Sequence, residues 1–205
     1  MNERTEPPLA ADAPTITWKW LSFSQLSAAQ LYEVLQLRAE VFVVEQQCVF
    51  NDLDGFDADA FHLLGYVSVH VLAAAAANDA STSSSASTEA EAAVKQVLVA
   101  YARTYGPDNH HVHSRVGTVG PECSIGRVVT HHAHRRNGYG KQLMQTAIDW
   151  CVAKHSTAAI RIGAQRYLRT FYGKGPQGLG FEEDGRAYDE DGIPHIDMLY
   201  TRHLR

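Results

Sequence analysis

The chain has 205 residues, a net charge of −5, 45% hydrophobic and 20% charged residues, and three cysteines. That length suits one domain with a real core, and the ordinary balance of residue types excludes a chain disordered throughout. No apolar run nears the ~20 residues that span a bilayer, the opening MNERTEPPLAADAPT lacks a secretory pattern, and Cys48, Cys123 and Cys151 are odd in number and scattered, so we expect reduced thiols in a cytoplasmic protein.

Residues 1–14 read as a flexible tail and 15–205 as one domain. TITWKW, from Thr15, alternates like a strand. Ser27 with Gln30 forms a capping box, and Leu31, Val34, Leu35, Arg38 and Phe42 follow at helical spacing. VFVVEQQCVF (41–50) suits a second short helix or a buried strand, and NDLDGFDAD (51–59) an acidic turn. HLLGYVSVHVL (62–72) and QVLVAYART (96–104) are predicted strands. The Ala/Ser/Thr-rich stretch between them is a low-complexity insertion over 73–95. A Gly/Pro/His-rich loop occupies 105–122. CSIGRVVT (123–130) is a strand, Gly138 to Val152 the strongest helix pattern, AAIRIGA (158–164) a strand, and Tyr167 to Tyr172 a short helix ended by Gly173. Strands over Phe181–Tyr188 and His195–Tyr200 close the chain around an EDGIP turn.

Charge is unevenly distributed. Residues 1–122 hold 6 Lys+Arg against 15 Asp+Glu, a net −9, whereas 123–181 hold nine basic residues against Asp149 alone, a net +8. A basic block inside an acidic chain is a candidate anion site. Within it, CSIGRVVT leads through HHAH into Arg135-Arg136-Asn137-Gly138-Tyr139-Gly140-Lys141 and then a helix. Free amides at a helix start, helped by the dipole, hold phosphate, and glycines let the backbone come close to a bulky anion.

That turn resembles the acetyl-CoA loop of the GNAT acetyltransferases, Arg/Gln-x-x-Gly-x-Gly/Ala, with Arg135, Gly138 and Gly140 at its fixed positions. LRAEVFVVEQQCVFNDLDGFD (37–57), IGRVVT (125–130), IGAQRYLRTFY (162–172) and DGIPHIDM (191–198) resemble the ElaA-like branch of that superfamily. The resemblance implies a mixed α/β fold. Its central, mostly antiparallel sheet carries one splayed parallel pair and is flanked by helices. It also implies an enzyme moving an acetyl group from acetyl-CoA to the primary amine of a small molecule or peptide. Val128, Val129 and Thr130 would pair with pantetheine; Arg135, Arg136, Asn137, Gly138, Tyr139, Gly140, Lys141 and Phe171 would complete the donor site. One departure from the family's short path to Gly-Phe is GKGPQGL, inserted before Gly180-Phe181, which would shift the helix end and the turn after it.

The resemblance also puts Tyr172 at the general acid's position; its phenol is protonated at neutral pH and able to donate to the leaving sulfur. The alternatives are that Tyr172 is a core tyrosine beside Phe171, or that Tyr167 is the acid. For the base, Glu45 in its apolar run would gain a raised pKa from burial, and His195 is of the residue type whose unperturbed pKa suits proton transfer. Glu45 pairing with an arginine, His195 as a core residue, and a water relay remain open. Asp52, Asp54 and Asp57 form an acidic lip for a cationic amine, or shape a turn. Gln165 lines the acceptor side or caps the next helix. His110, His111, His113, His131, His132 and His134 lack the spacing of a metal helix, so no metal is expected, and the last three should border the phosphate site. Cys123 and Cys151 read as buried small hydrophobes. No nucleic-acid or membrane partner is expected, and a monomer or homodimer is. The competing functions are a non-catalytic CoA-binding or sensing module of the same fold, and a nucleic-acid- or metal-binding protein.

Overall fold

The structure is a computed structural model that describes residues 14–71, 93–109 and 121–201. The greater part of the expected tail and of both insertions, and His110, His111 and His113 with them, lies outside those residues. Strand β1 (Ile16–Ser22) leads to helix α1 (Ala28–Arg38), opened by the Ser27 capping box: the Gln30 amide donates to Ser27 Oγ at 3.1 Å and the Ser27 amide to Gln30 Oε1 at 3.0 Å. The helix does not stop at Arg38. It widens into a π-helical turn, Ala39–Glu45, closed by the Gln46 amide on the Val41 carbonyl at 3.0 Å. The ambiguous 41–50 run is thus a continuation of α1 followed by irregular chain, because no glycine or proline interrupts it before Gly55.

Strands β2 (Phe61–Val71), β3 (Ala93–Tyr105) and β4 (Glu122–Thr130) form an antiparallel meander with β1. Ala93–Lys95, inside the expected insertion, are already strand. Helix α2 (Tyr139–Lys154) crosses to β5 (Ala159–Gln165), which runs parallel to β4. A 3₁₀ turn (Arg166–Leu168) and one helical turn, α3 (Arg169–Tyr172), precede β6 (Glu182–Glu183), β7 (Tyr188–Glu190) and β8 (Ile193–Tyr200). The sheet order is β1-β2-β3-β4-β5-β8-β6, with β7 also on β8, and every neighbouring pair but β4–β5 is antiparallel.

Period-two alternation separates the sheet's two faces. Leu63, Val99, Ile125 and Ile160 pack with Leu143, Met144, Ala147 and Ile148 of α2. Leu64, Tyr66, Tyr101 and Val129 pack with Val34, Leu37 and Val41 on the opposite face. Two expectations need correcting. The strand expected over Phe181–Tyr188 is broken, because Asp184 turns aside to pair with Arg161 at 2.7 Å and Gly185 takes φ +115°. The GKGPQGL insertion does not displace the helix end. Tyr172 O accepts from the amides of Leu179 (3.3 Å) and Phe181 (2.9 Å), and Gly173 O from Gly180 (2.9 Å), so the extra residues loop out and Phe181 returns beside Tyr172. The EDGIP turn is a two-residue hairpin loop with Asp191 at φ 53° and Gly192 at φ 83°, the left-handed pair that matches strand twist. Among the described residues no helix is long and apolar enough to cross a membrane.

Candidate active site

Strands β4 and β5 pair only at Glu122–Ala159, Cys123–Ile160 and Ser124–Arg161, and then part. The register between β3 and β4 also shifts, from Tyr101–Val129 to Arg103–Gly126. One β3 residue thus faces two in β4, a bulge that holds Arg127 at φ 51° and bends the strand. Beyond the parting lies a cleft of about 1150 Å³, walled by Ile125–Thr130 on one side and Ile162–Gln165 on the other. One end opens on the Arg135–Lys141 turn and the other on residues 46–56 and 190–197.

At the first end a 3₁₀ turn, His132–His134, carries the chain off β4. Arg136 (φ 68°) and Gly138 (φ 77°) then reverse it, and Gly138 caps α2. The amides of Lys141 and Gln142 both turn back to Gly138 O at 3.1 Å. Those of Tyr139 and Gly140 precede the first intrahelical donors, in the position that binds anions. A Cβ on Gly140 would stand 3.5 Å from Thr130 Oγ1 and 3.9 Å from Phe171 Cζ, so glycine keeps the cradle between β4 and α3 open. This geometry fits a diphosphate. Arg136, Asn137 and Lys141 are exposed here, Asn137 Nδ2 donating to His134 O at 3.3 Å, and Phe171 borders the cleft. The Tyr139 side chain goes elsewhere: it is buried and its hydroxyl donates to Pro14 O at 2.6 Å, leaving the site only its amide. His131 stacks on His132 (4.4 Å) and meets His134 edge-on (5.6 Å) beside the turn. Among the described residues no group of three His, Cys, Asp or Glu side chains is placed to hold a metal ion.

Tyr172 stands in the cleft wall, 6% exposed, edge-on to Phe171 (4.9 Å) and Phe181 (6.2 Å). Burial pushes its phenol well above the ordinary value, so it stays protonated. His195 also lines the cleft, stacked on Tyr188 at 5.9 Å, with Nδ1 2.8 Å from Ile193 O. A carbonyl only accepts, so Nδ1 carries a proton, and the tautomer that this contact selects has Nε2 as its acceptor.

The acids follow the alternatives to their functional readings. Glu45 is not buried; its side chain is 39% exposed and paired with Arg135 at 2.6 and 2.8 Å. The hydrogen bond from Arg135 holds its carboxyl below the usual range, the opposite of the shift expected from burial. Asp52, Asp54 and Asp57 are not an open lip either. Arg38, wholly buried, holds Asp52 and Asp57 at 2.8 Å each. Arg103 reaches Asp54 (2.6 Å) and Asp57 (2.9 Å), and Arg127 reaches Asp52 (2.8 Å) and Asp54 (3.1 Å). Burial alone would raise the Asp54 carboxyl, but hydrogen bonds from Arg103 and the Phe56 amide, with the charge of Arg127, bring it down to about 2. Three arginines thus neutralise the three acids. Gln165 does not cap the next turn with its side chain; it forms a reciprocal amide pair with Gln46, at 3.1 and 3.4 Å. Cleft residues missed from sequence include Gln46, Arg161 and Asp197, the last accepting from the Tyr188 hydroxyl at 3.0 Å. Arg161 had one local signal, a charge in the middle of the apolar strand pattern AAIRIGA.

Residues 71–202 match the family model described as an acetyltransferase (GNAT) domain. Protein ElaA of Escherichia coli is 36% identical over 185 residues, 89% of this chain and 95% of that protein. A UPF0039 protein of Synechocystis is 34% identical over 185 residues, 90% of this chain and 95% of its own. Among solved structures, an acyl-CoA N-acyltransferase from Pseudomonas aeruginosa superposes with a TM-score of 0.67 at 30% identity, covering 91% of this chain and all of that one. The crystal structure of E. coli ElaA does so with 0.65 at 33%, with the same coverage.

Proposed function

The chain belongs to the GNAT acetyltransferase family, whose chemistry is acyl transfer, and on that premise we propose that it moves an acetyl group from acetyl-CoA to the primary amine of a small molecule or peptide by direct attack. The observation that carries this reading is the parted β4–β5 pair, with an anion-binding turn at one end of its cleft and Tyr172 and His195 in its wall. The bound donor supplies the acetyl thioester. The amides of Tyr139 and Gly140, with Arg136 and Lys141, hold its diphosphate, and the backbone of Val128–Thr130 takes the pantetheine along the strand. Amides of β4 beyond the last β5 pair give the thioester oxygen its donor, which matters most where charge develops on that oxygen. His195 Nε2 takes a proton from the acceptor ammonium, the free amine bonds to the thioester carbon, and as the C–S bond breaks Tyr172 delivers a proton to the departing sulfur and regains one from the new amide nitrogen. Glu45, tied to Arg135, is a poor base at neutral pH, so His195 receives that role.

Calorimetry with acetyl-CoA, CoA and a short oligonucleotide, beside a screen of amines read by free-thiol release, tests the proposal. We expect binding of both CoA species, none of the oligonucleotide, and thiol release with at least one amine. Gly140→Leu, which fills the cradle, should abolish CoA binding while leaving the melting temperature within a few degrees. A Gly140→Leu protein that binds CoA normally refutes the site. CoA binding without turnover of any amine favours the sensing module.

A further inference from the structure

Arg135 lies three residues before Gly138, on the turn that the proposed function assigns to the diphosphate, and its guanidinium is already engaged. Nε donates to Thr130 O at 3.2 Å, and the two terminal nitrogens grip both oxygens of Glu45. That two-pronged geometry is one arginine offers equally well to phosphate. Glu45 ends the π-helical turn and its neighbour Gln46 is amide-paired with Gln165 at the end of β5. Residues 45 and 46 therefore bridge the cleft, one attached to the phosphate turn beyond β4, the other to β5.

Two pairs in the molecule differ in kind. Arg38 and Asp52 are 0% and 4% exposed, and such a pair cannot separate without leaving a buried charge. Arg135 and Glu45 are 42% and 39% exposed; water covers either partner when they part, so the contact is weak and exchangeable. A diphosphate on the Tyr139 and Gly140 amides adds negative charge beside a carboxylate that Arg135 keeps ionised, and it presents the same guanidinium with a more highly charged acceptor.

We propose that Glu45 and the donor diphosphate compete for Arg135, so that acyl-CoA binding exchanges the carboxylate for the diphosphate and detaches the Glu45–Gln46 bridge from the phosphate turn. Glu45 is then an affinity-setting residue: it weakens donor binding and eases release of product CoA. The inference rests on the turn being the diphosphate site.

The test is CoA calorimetry on the wild type, Glu45→Gln, Arg135→Gln and the double variant, with thermal melts to establish folding. Removing the competitor should tighten CoA binding by about two- to fivefold, the scale of a half-exposed ion pair. In the Arg135→Gln background the same change should leave affinity unaltered, because there is no guanidinium to contest. Weaker binding by Glu45→Gln overturns the proposal and makes the pair a fixed brace. Equal tightening in both backgrounds also overturns it, since that is a field effect with no exchange. A folded wild type that binds no CoA overturns the site assignment itself, which separates the two failures.

Discussion

Gly178 closes the loop that returns Phe181 to Tyr172, and it does so against backbone. A Cβ there would lie 1.9 Å from the Gly173 carbonyl oxygen and 2.7 Å from its carbon. Ordinary contact starts near 3.4 Å, so Gly178→Ala needs about 1.5 Å of movement, and neither atom belongs to a flexible side chain. Movement on that scale breaks the Gly180–Gly173 hydrogen bond and weakens the two on Tyr172 O. Overpacking costs about 1–3 kcal/mol, and each hydrogen bond lost adds about 0.5–1.5 kcal/mol. Part of this relaxes because the loop is half-exposed, so we expect about 1–3 kcal/mol in total, or a melting temperature lower by about 3–10 °C for a domain of this size. Gly175→Ala is the control, since a Cβ at that glycine meets nothing within 4 Å. Scanning fluorimetry compares the two variants with the wild type. Thiol-release assays then ask whether kcat falls in Gly178→Ala as the Phe181 edge leaves the Tyr172 ring. Equal melting temperatures for the two variants would falsify the account of how the insertion is accommodated.

Tyr172→Phe should keep CoA affinity and fold stability while lowering kcat about 10²-fold or more, the usual contribution of a general acid; unchanged turnover removes the role. Arg38→Ala strands Asp52 and Asp57 without their buried partner and should cost about 3–5 kcal/mol in urea unfolding, so a loss below 1 kcal/mol would contradict the burial described. Acid should destabilise the fold in two windows. His62 is held neutral by burial, with Tyr101 and the Asp57 carbonyl on its two nitrogens. Its folded pKa lies below the unfolded value near 6.5, so stability falls as the pH drops below 6.5 and the unfolded chain takes up the proton. Asp54, depressed to about 2, contributes stability that is present above pH 3.8 and lost as the pH falls towards 2. Urea midpoints against pH check both windows, and a pH 7-to-5 slope unchanged in His62→Gln would rule out the first.

The elements legible in the sequence are those set by local chemistry. The Ser27–Gln30 box needs only residues three apart, and the α2 stripe and the β4 and β5 runs repeat at short period. The glycine turn at the start of α2 belongs with them, since its glycines and the helix they start are contiguous. What escaped was long-range. An arginine partner for Glu45 was among the alternatives, but which one was not legible at 90 residues' distance; Gln46 is 119 from Gln165, and Arg103 is 46 and 49 from its two aspartates. An acidic run reads as a free lip until the arginines that fold onto it are known. The π-helical turn was hidden too, because a widened helix and a buried strand present the same short apolar run.

The three-pair seam between β4 and β5 makes the cleft a wedge with a short root and a long arm. At ~3.3 Å per residue, the stretch of β4 from Ile125 to Thr130, held by β3 on one edge and unpaired on its β5 edge, reaches about 20 Å beyond the root. A turn of about 5° at the root between the β1–β4 half of the sheet and the β5–β8 half would move the far tip by about 1.7 Å, close to the radius of a methyl group. At the root, beside the three backbone pairs, Arg161 fastens β5 to Glu122 at 2.6 Å and to Asp184 at 2.7 Å. The mouth thus lies far along the strands from an ion pair at their root, and a substitution at Glu122, itself outside the cleft wall, should free Arg161 and change the aperture.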